Sequence, residues 1–330
     1  MRFSVLGAGG WGTAFARLLA NAGHDTVLWA RDSKQAEAIA NERENAKYLP
    51  GVRLPSEHLT ITSELRDGLN ADAVFLAVPS FGIDDLLLTI APLASASPVL
   101  VNLAKGLDPS TQRTVSELIA DRLPGASAFA LSGPSHAEEV GRDVPTAVVL
   151  AGKDCDLGER LQHAVATPRF RIYLSEDVRG VELCAAVKNV IALATGISDG
   201  LGYGDNSRGA LITRGLAEMA RFGRALGIDD TTFFGLAGLG DLVATCTSEH
   251  SRNRHVGYRL GAGESLTQIL DEMDMVAEGV YATGIVRAMA EARGIDMPIT
   301  EAVWRLLEGV VDPLMLVEQI MTRAPKREDG

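Results

Sequence analysis

A glycine-rich turn near the amino terminus constrains the fold more than any other stretch of the chain. Residues 7–12 read GAGGWG and lie between a short apolar run at residues 3–6 and a helically spaced segment at residues 13–22. Glycines at this spacing, after a strand and before a helix, allow a tight turn, close packing of helix on strand, and approach of a pyrophosphate to the helix N-terminus. The chain is therefore predicted to begin with a βαβ unit that binds a dinucleotide.

Apolar runs continue the alternation of strand and helix through the first half. Near-continuous runs are typical of strands buried on both faces of a parallel sheet, and they occur at residues 25–29, 73–78, 99–103, 126–131, 146–151 and 170–174. After residue 179 helical spacing dominates, at residues 183–195, 208–226, 266–273, 280–292 and 299–307, with a glycine-punctuated segment at 235–240. We expect an α/β fold: an N-terminal Rossmann-type doubly wound sheet over residues 1–182, then an all-α domain over residues 183–330. Residues 326–330 are expected to be a disordered tail.

The end of the second predicted strand bears on the choice of dinucleotide. Here the sequence gives Ala30, Arg31 and Asp32. An arginine pairs with the 2′-phosphate of NADP(H), whereas a carboxylate binds the 2′-hydroxyl of NAD(H). Asp32 comes late for that position and equally suits the N-cap of the next helix. NADP(H) is therefore favoured, and NAD(H) stays open.

A single charge, Lys188, interrupts the apolar stretch LCAAVKNVIALATGIS at residues 183–198. One helical turn away lie Cys184, Ala185, Ile191 and Ala192, so the helix itself offers no carboxylate partner. Desolvation lowers the pKa of an ammonium toward the range where it exchanges protons near neutrality. The alternative is a lysine whose stem lies on apolar surface with its head in water, and spacing alone favours this alternative.

Other polar residues are expected beyond the carboxyl ends of the strands, where parallel sheets bind their ligands. Lys105 and residues 133–137 directly follow predicted strands, and Asp241, Arg252 and Asn253 lie in a polar stretch of the second half. An arginine and an amide suit a phosphate monoester, because a guanidinium donates two parallel hydrogen bonds to phosphate oxygens. Solvated loops are the alternative for both groups, and composition alone does not exclude them.

Overall charge and cysteine content exclude several classes of protein. A net charge of −12 and a pI near 5.0 argue against nucleic-acid and anionic-membrane partners, because a general basic surface is missing. Three cysteines, Cys155, Cys184 and Cys246, indicate neither a disulfide framework nor a zinc site. No run of about 18 uncharged apolar residues is present, and Arg17 and the glycines interrupt the amino-terminal apolar run, against a signal peptide. We expect a cytoplasmic protein without a metal or a membrane span.

Seven motifs are distributed along the whole chain: GAGGWG at residues 7–12, AKGL at 104–107, SGPSHAE at 132–138, AVKN at 186–189, GLGDLVATC at 238–246, SRNR at 251–254 and VAEG at 276–279. Together they resemble the NAD(P)-dependent sn-glycerol-3-phosphate dehydrogenases of the bacterial biosynthetic branch. The resemblance implies hydride transfer from NAD(P)H to C2 of dihydroxyacetone phosphate, giving glycerol 3-phosphate for phospholipid synthesis. It also implies a helical second domain like the carboxyl-terminal domain of 6-phosphogluconate dehydrogenase.

The resemblance assigns roles position by position. Lys188 matches the proton donor and acceptor, with Asp241 and Lys105 beside it in the catalytic set. The implied substrate-binding residues are Lys105, Gly133, Ser135, Lys188, Asp241, Ser251, Arg252 and Asn253. The implied cofactor-binding residues are Gly7, Gly9, Gly10, Trp11, Gly12, Arg31, Lys105, Ala137, Arg252, Val276 and Glu278.

Two alternatives of different classes remain at this point. A β-hydroxyacid dehydrogenase of the related two-domain type also carries a lysine on its first helix after the Rossmann domain, but usually with an asparagine one helical turn away, whereas Asn189 directly follows Lys188. The second alternative is a catalytically silent NADP-binding sensor, against which the lysine, aspartate and arginine–asparagine set argues. Helical second domains commonly bury apolar faces against a second copy, which makes a homodimer possible, but no apolar stripe in the sequence fixes the oligomeric state.

Overall fold

The computed structural model describes residues 1–94, 97–315 and 322 of the chain. The tail predicted to be disordered, residues 326–330, lies outside the described residues. Within them a sheet-containing half precedes a helical half, which confirms the predicted fold class. The predicted domain boundary between residues 182 and 183 falls inside a single continuous helix, Val178–Gly200, and stays a prediction.

The main sheet has the strand order β10-β9-β8-β7-β6-β1-β2-β5, and β3 pairs with β4 in a separate hairpin. Chain order reverses beside β1, which has β2 on one side and β6 on the other. This is a topological switch point, so the turn after β1 opens onto the crevice where such sheets bind ligands. The strands are β1 (Arg2–Leu6), β2 (Asp25–Trp29), β3 (Glu44–Asn45), β4 (Leu49–Arg53), β5 (Leu59–Thr62), β6 (Ala73–Leu76), β7 (Val99–Asn102), β8 (Ser127–Ser132), β9 (Thr146–Gly152) and β10 (Phe170–Ser175).

One strand pair departs from the predicted parallel sheet. β8 and β9 are antiparallel, with Phe129 opposite Gly152 and Ser132 opposite Val149. The link at residues 133–145 holds only the short helix Ala137–Val140, whereas a parallel neighbour requires a crossover of a dozen or more residues, usually through a full helix. The sequence pattern missed this reversal because strands buried on both faces show the same apolar run in either direction.

Helices cover both faces of the sheet and make up the second half. They are α1 (Gly10–Asn21), α2 (Ser33–Glu42), α3 (Ile83–Ile90), α4 (Val115–Arg122), α5 (Ala137–Val140), α6 (Cys155–Val165), α7 (Val178–Gly200), α8 (Asp205–Ala225), α9 (Asp230–Phe234), α10 (Asp241–Thr247), α11 (Arg252–Gly261), α12 (Leu266–Asp271), α13 (Glu278–Glu291) and α14 (Pro298–Leu307). The predicted glycine-punctuated segment forms one wide helical turn, Leu236–Gly240, that leads directly into α10.

Helix α7 is the centre of the second half. It begins five residues before the predicted helix and ends five residues after it, and residues 180–198 are all buried. By length and composition α7 could cross a membrane, yet its most apolar window is 100% buried inside the protein. Helices α8, α10, α11, α13 and α14 all pack on it. Its continuous apolar character therefore follows from a position in the middle of a helical core.

Helices α7 and α11 approach each other closely through glycines on both. A Cβ at Gly196 or Gly200 of α7 would collide with the backbone carbonyls of Arg254 or Tyr258 on α11. The same holds in reverse for Gly257 and Gly261 of α11 against the backbone of α7. Backbone-to-backbone contact leaves no freedom in the spacing of the two helices. It therefore fixes the N-terminus of α11 relative to the residues that α7 carries.

Candidate active site

Lys188 lies at the centre of the candidate site, on the buried helix α7. The residue is 3% exposed. Its Nζ donates to Asp241 Oδ1 at 2.7 Å and to Thr245 Oγ1 at 2.6 Å, both on α10. The ammonium therefore does not extend to solvent, and the carboxylate missing from its own helix comes from another one.

Asp241 joins two ammonium groups. Its Oδ2 accepts from Lys105 Nζ at 2.9 Å, while its Oδ1 accepts from Lys188. Lys105 Nζ also donates to the Gly133 carbonyl at 2.9 Å and to Ser135 Oγ at 3.3 Å. Two positive charges share one carboxylate, so the cluster carries a surplus positive charge. Such a surplus in a partly desolvated site attracts an anionic ligand or developing negative charge.

The two buried partners titrate away from their ordinary values. Burial lowers the pKa of Lys188 to about 8, against the opposing attraction of Asp241. Burial alone would raise the pKa of Asp241, but the ammonium groups of Lys105 and Lys188 outweigh it and hold that pKa below its usual value. Lys188 is thus a cation at neutral pH that loses its proton as the pH rises through about 8, beside a carboxylate that stays ionised.

The loop that carries Lys105 is held by helices of the second half. Asn189 Nδ2 of α7 donates to the Lys105 carbonyl at 2.8 Å. Glu278, at the start of α13, accepts from the Lys105 N–H at 3.1 Å through Oε2 and from the Ser80 N–H at 2.8 Å through Oε1. The position of the Lys105 ammonium therefore depends on contacts with both α7 and α13.

A second buried carboxylate, Glu182, holds the start of the loop that carries Lys105. Glu182 of α7 is 2% exposed and accepts from Asn102 Nδ2 at 2.8 Å and from the Ser116 N–H at 3.1 Å. Asn102 in turn accepts from the Ala104 N–H at 2.8 Å. Burial raises the pKa of Glu182, although these donors oppose the shift.

The N-terminus of α11 provides a different kind of site. Ser251 is its N-cap and accepts from the Arg254 N–H at 3.2 Å. Asn253 is 8% exposed and accepts from the Gly279 N–H at 2.9 Å. Arg254 pairs with Asp199 at 2.7 Å, whereas the exposed side chain of Arg252 has no ion pair or hydrogen bond within the described part of the chain. The guanidinium of Arg252 is therefore free to bind an external anion.

The glycine-rich turn after β1 has the shape that a dinucleotide requires. A Cβ at Gly12 would collide with the Gly7 carbonyl, and a Cβ at Gly10 would lie 2.7 Å from the Tyr48 carbonyl oxygen. Gly7 has a φ of 121°, which favours glycine. A Cβ at Gly9, by contrast, would meet nothing within 4 Å. The turn is packed on its inner side and open on its outer side, at the N-terminus of α1, so its residues fit a pyrophosphate.

Asp32 and Arg31, which follow β2, are the two residues predicted to lie near the adenine ribose of the dinucleotide, and their surroundings differ. Asp32 is the N-cap of α2, and its Oδ1 accepts from the Lys34 N–H at 2.8 Å. Arg31 beside it is exposed and lies outside the cluster around Lys188. The carboxylate is thus engaged in a capping bond, whereas the arginine faces solvent.

Three further predicted cofactor residues have described surroundings. Trp11 stands in the glycine turn and packs on Phe15, with ring centroids 5.5 Å apart. The Cβ of Ala137, the first residue of α5, lies 3.6 Å from the Cβ position of Gly10. Val276 is half-buried just before α13. Among residues 1–94 and 97–315, no group of three or more His, Cys, Asp or Glu side chains could hold a metal ion.

Three groups at this site were not predicted from the sequence. Thr245 follows Asp241 by one helical turn, a spacing that places both on one face of α10 and that could have revealed it. Asn189 was noted only as a neighbour of Lys188. His136 Nε2 lies 3.4 Å from the Ala244 carbonyl oxygen, and burial, followed by the charge of Lys105, lowers its pKa.

Comparisons with known proteins match both halves of the chain. The model of the NAD-dependent glycerol-3-phosphate dehydrogenase N-terminus matches residues 2–157, and that of the C-terminus matches residues 177–318. A glycerol-3-phosphate dehydrogenase (NAD(P)+) of Nitratidesulfovibrio vulgaris is 48% identical over 99% of this chain and 100% of its own length. One from Chlorobium limicola is 45% identical over 99% of both chains. The crystal structure of a glycerol-3-phosphate dehydrogenase from Coxiella burnetii superposes with a TM-score of 0.94, at 39% identity, over 98% of this chain and 99% of that one.

Proposed function

Because the chain belongs to the NAD-dependent glycerol-3-phosphate dehydrogenase family, we propose that Lys188 exchanges the proton in that family's reaction. The chain is an enzyme that uses NAD(P)H to reduce dihydroxyacetone phosphate to sn-glycerol 3-phosphate. The observation that carries the proposal is the burial of the Lys188 ammonium against Asp241 at the junction of the two halves.

Lys188 has one donor left for a substrate. An ammonium carries three N–H groups, and Asp241 and Thr245 each accept one from Nζ. The reduced nicotinamide, when bound, supplies a hydride to the carbonyl carbon. Negative charge then develops on the carbonyl oxygen, which the third N–H of Lys188 stabilises and to which Nζ transfers its proton. In the reverse direction the neutral amine accepts the proton of the hydroxyl group.

Asp241 and Lys105 act on the pKa and the position of the Lys188 ammonium. Asp241 holds the Nζ in place and raises the pKa that burial lowers, so the proton is retained near neutral pH. Lys105 adds the second positive charge of the cluster, 2.9 Å from Asp241. We assign Gly133 and Ser135, which accept from Lys105, to the same substrate pocket.

The phosphate of the substrate is assigned to the N-terminus of α11. Arg252 offers a free fork of donors, and Ser251 and Asn253 flank it at the start of the helix. Helix N-termini favour anions through their unpaired N–H groups and the helix dipole. The close packing of α7 on α11 keeps this anion site at a set distance from Lys188.

The dinucleotide is assigned to the glycine turn, with NADP(H) preferred over NAD(H). The support for the preference is the exposed Arg31 beside an Asp32 that is already engaged in a cap. The remaining assigned cofactor positions are Trp11, Lys105, Ala137, Arg252, Val276 and Glu278. We further propose that the enzyme works in the cytoplasm, that its product enters glycerophospholipid synthesis, and that no metal takes part. The homodimer stays a prediction.

A steady-state assay tests the proposal. Oxidation of NADPH and of NADH is followed by absorbance with dihydroxyacetone phosphate, and with a 3-keto acid in its place. We expect turnover only with dihydroxyacetone phosphate, and a larger kcat/KM with NADPH. A preference for the keto acid would favour a β-hydroxyacid dehydrogenase, and cofactor binding without turnover would favour a sensor.

A further inference from the structure

The carbonyl of Ala8, in the middle of the glycine turn, accepts two side-chain hydrogen bonds. Asn45 Nδ2 donates to it at 2.9 Å, and Gln35 Nε2 donates to it at 2.9 Å. Gln35 belongs to α2 and Asn45 to β3, so the two donors reach the turn from different elements. Both bonds fall on the one peptide that joins Ala8 to Gly9.

Asn45 is the more buried of the two donors, at 2% exposed. The same Nδ2 also donates to Thr13 Oγ1 on α1 at 2.8 Å. Its hairpin packs directly on the turn, because the Tyr48 carbonyl occupies the space that a Cβ on Gly10 would need. A buried amide is costly unless its polar atoms are paired, and both acceptors of this amide lie in or next to the glycine turn.

The orientation of the Ala8 carbonyl determines where the next N–H points. In a planar trans peptide the C=O and the N–H point in opposite directions. With its oxygen held by Asn45 and Gln35, the peptide directs the Gly9 N–H away from the hairpin. Gly9 is half-buried, and a Cβ there would project into open space. In the described part of the chain no acceptor takes the Gly9 N–H.

We propose that Asn45 is a positioning residue for the dinucleotide: by holding the Ala8 carbonyl, it presents the Gly9 N–H to the pyrophosphate. This inference rests on the proposed cofactor site at the glycine turn. In this role Asn45 acts through the peptide that it orients and needs no contact of its own with the cofactor. The hairpin β3–β4 is therefore part of the phosphate-binding structure as well as a cover for α1.

The test compares two adenosine ligands, of which only one extends through the pyrophosphate. ADP-ribose contains it and adenosine does not, and calorimetric titration gives the affinity of the full-length protein for each. For Asn45→Leu and Asn45→Ala we expect the affinity for ADP-ribose to fall about tenfold or more, as for loss of one hydrogen bond to a charged group. The affinity for adenosine is expected to change less than about twofold, since adenosine lacks the group that Gly9 binds.

Two matched variants separate positioning from stability. Leu49→Ala weakens the same hairpin through an apolar side chain that is 1% exposed and has no group that could donate a hydrogen bond to the Ala8 carbonyl. It is expected to lower the thermal midpoint while keeping the affinity ratio of the two ligands. Asn41→Leu, an exposed asparagine on α2, is expected to change neither quantity. Circular dichroism melting of every variant shows that it is folded at the temperature of titration.

Equal losses for both ligands, or no loss for either, would overturn the role of Asn45 while leaving the cofactor site in place. Failure of the unmodified protein to bind ADP-ribose would instead overturn the cofactor site itself. If the Asn45 variants do not fold, a crystal structure of the unmodified protein with ADP-ribose decides. The inference requires the Gly9 N–H within hydrogen-bond distance of a phosphate oxygen and fails if that N–H points elsewhere.

Discussion

Replacing Asp241 by asparagine removes the charge that Lys188 and Lys105 share. The carboxylate is 2% exposed and lies 2.7 Å from one ammonium nitrogen and 2.9 Å from the other. Asparagine keeps the shape of the side chain but not its charge. Lys188 then keeps the effect of burial and the repulsion of Lys105, both of which lower its pKa. Lys188 should therefore lose its proton at a lower pH in Asp241→Asn than in the unmodified enzyme.

The size of the effect follows from the distances. A carboxylate within hydrogen-bond distance shifts the pKa of its partner by roughly 1–3 pH units. A fall of about two units from the value of about 8 would leave Lys188 roughly one-tenth protonated near pH 7, against roughly nine-tenths in the unmodified enzyme. Reduction of dihydroxyacetone phosphate should slow about tenfold near pH 7, because only the protonated amine donates. The two enzymes should converge in rate below about pH 5.5.

The assay is the pH dependence of kcat for dihydroxyacetone phosphate reduction with saturating NADPH. Unmodified enzyme should lose activity as the pH rises through about 8, and Asp241→Asn should lose it about two units lower. Glu218→Gln is the matched control, because Glu218 is a buried carboxylate of the second half whose hydrogen bonds, among the described residues, come from Ile299 and Thr300 at the start of α14. If Asp241→Asn loses activity at the same pH as the unmodified enzyme, Asp241 does not set the pKa of the proton donor.

Three further predictions concern the substrate phosphate, the cofactor and the loop that carries Lys105. Arg252→Ala should raise the KM for dihydroxyacetone phosphate about tenfold or more and leave the KM for unphosphorylated dihydroxyacetone nearly unchanged. If steady-state assays find the same increase in KM for both compounds, Arg252 does not bind the phosphate. Arg31→Ala should weaken NADPH binding about tenfold while sparing NADH, and fluorescence titration that finds equal losses would place the 2′-phosphate elsewhere. Glu182→Leu leaves the Asn102 amide and the Ser116 N–H without their acceptor, so urea denaturation should show about 2–5 kcal/mol less free energy of unfolding. A loss below about 0.5 kcal/mol would mean that these donors find other acceptors.

Local patterns predicted much of the first half. The first strand, the glycine turn and the first helix lie in one short segment, so the spacing of its glycines can be interpreted without the rest of the chain. Helix α1 and strand β2 lie close to the predicted bounds. The hairpin β3–β4 was missed, because it is short and contains Pro50 and Gly51 rather than alternating apolar residues. The role proposed for Asn45 was not predicted either, because the carbonyl of Ala8 that it binds lies 37 positions away in the sequence.

The site around Lys188 shows the same limit. The charge in an apolar helix was visible in the sequence, but spacing alone favoured an ammonium in solvent. Its burial depends on Asp241, 53 positions away, and on Thr245, which α10 places on the same face. Contacts between elements far apart in sequence are set by packing, which no local pattern reports. The seven motifs pointed to these residues because they occur together, not because of any single spacing.

Lys188 itself provides the most direct test of the mechanism. Lys188→Ala is compared with unmodified enzyme and with a control, Lys153→Ala, for NADPH binding by fluorescence and for turnover of dihydroxyacetone phosphate. Lys153 is exposed and follows the end of β9 that lies away from Gly133. Lys188→Ala is expected to bind NADPH normally and to lose about 10²–10⁴-fold in kcat, the usual contribution of a positioned acid. Turnover within about threefold of the unmodified enzyme would contradict the assignment of Lys188 as the proton donor.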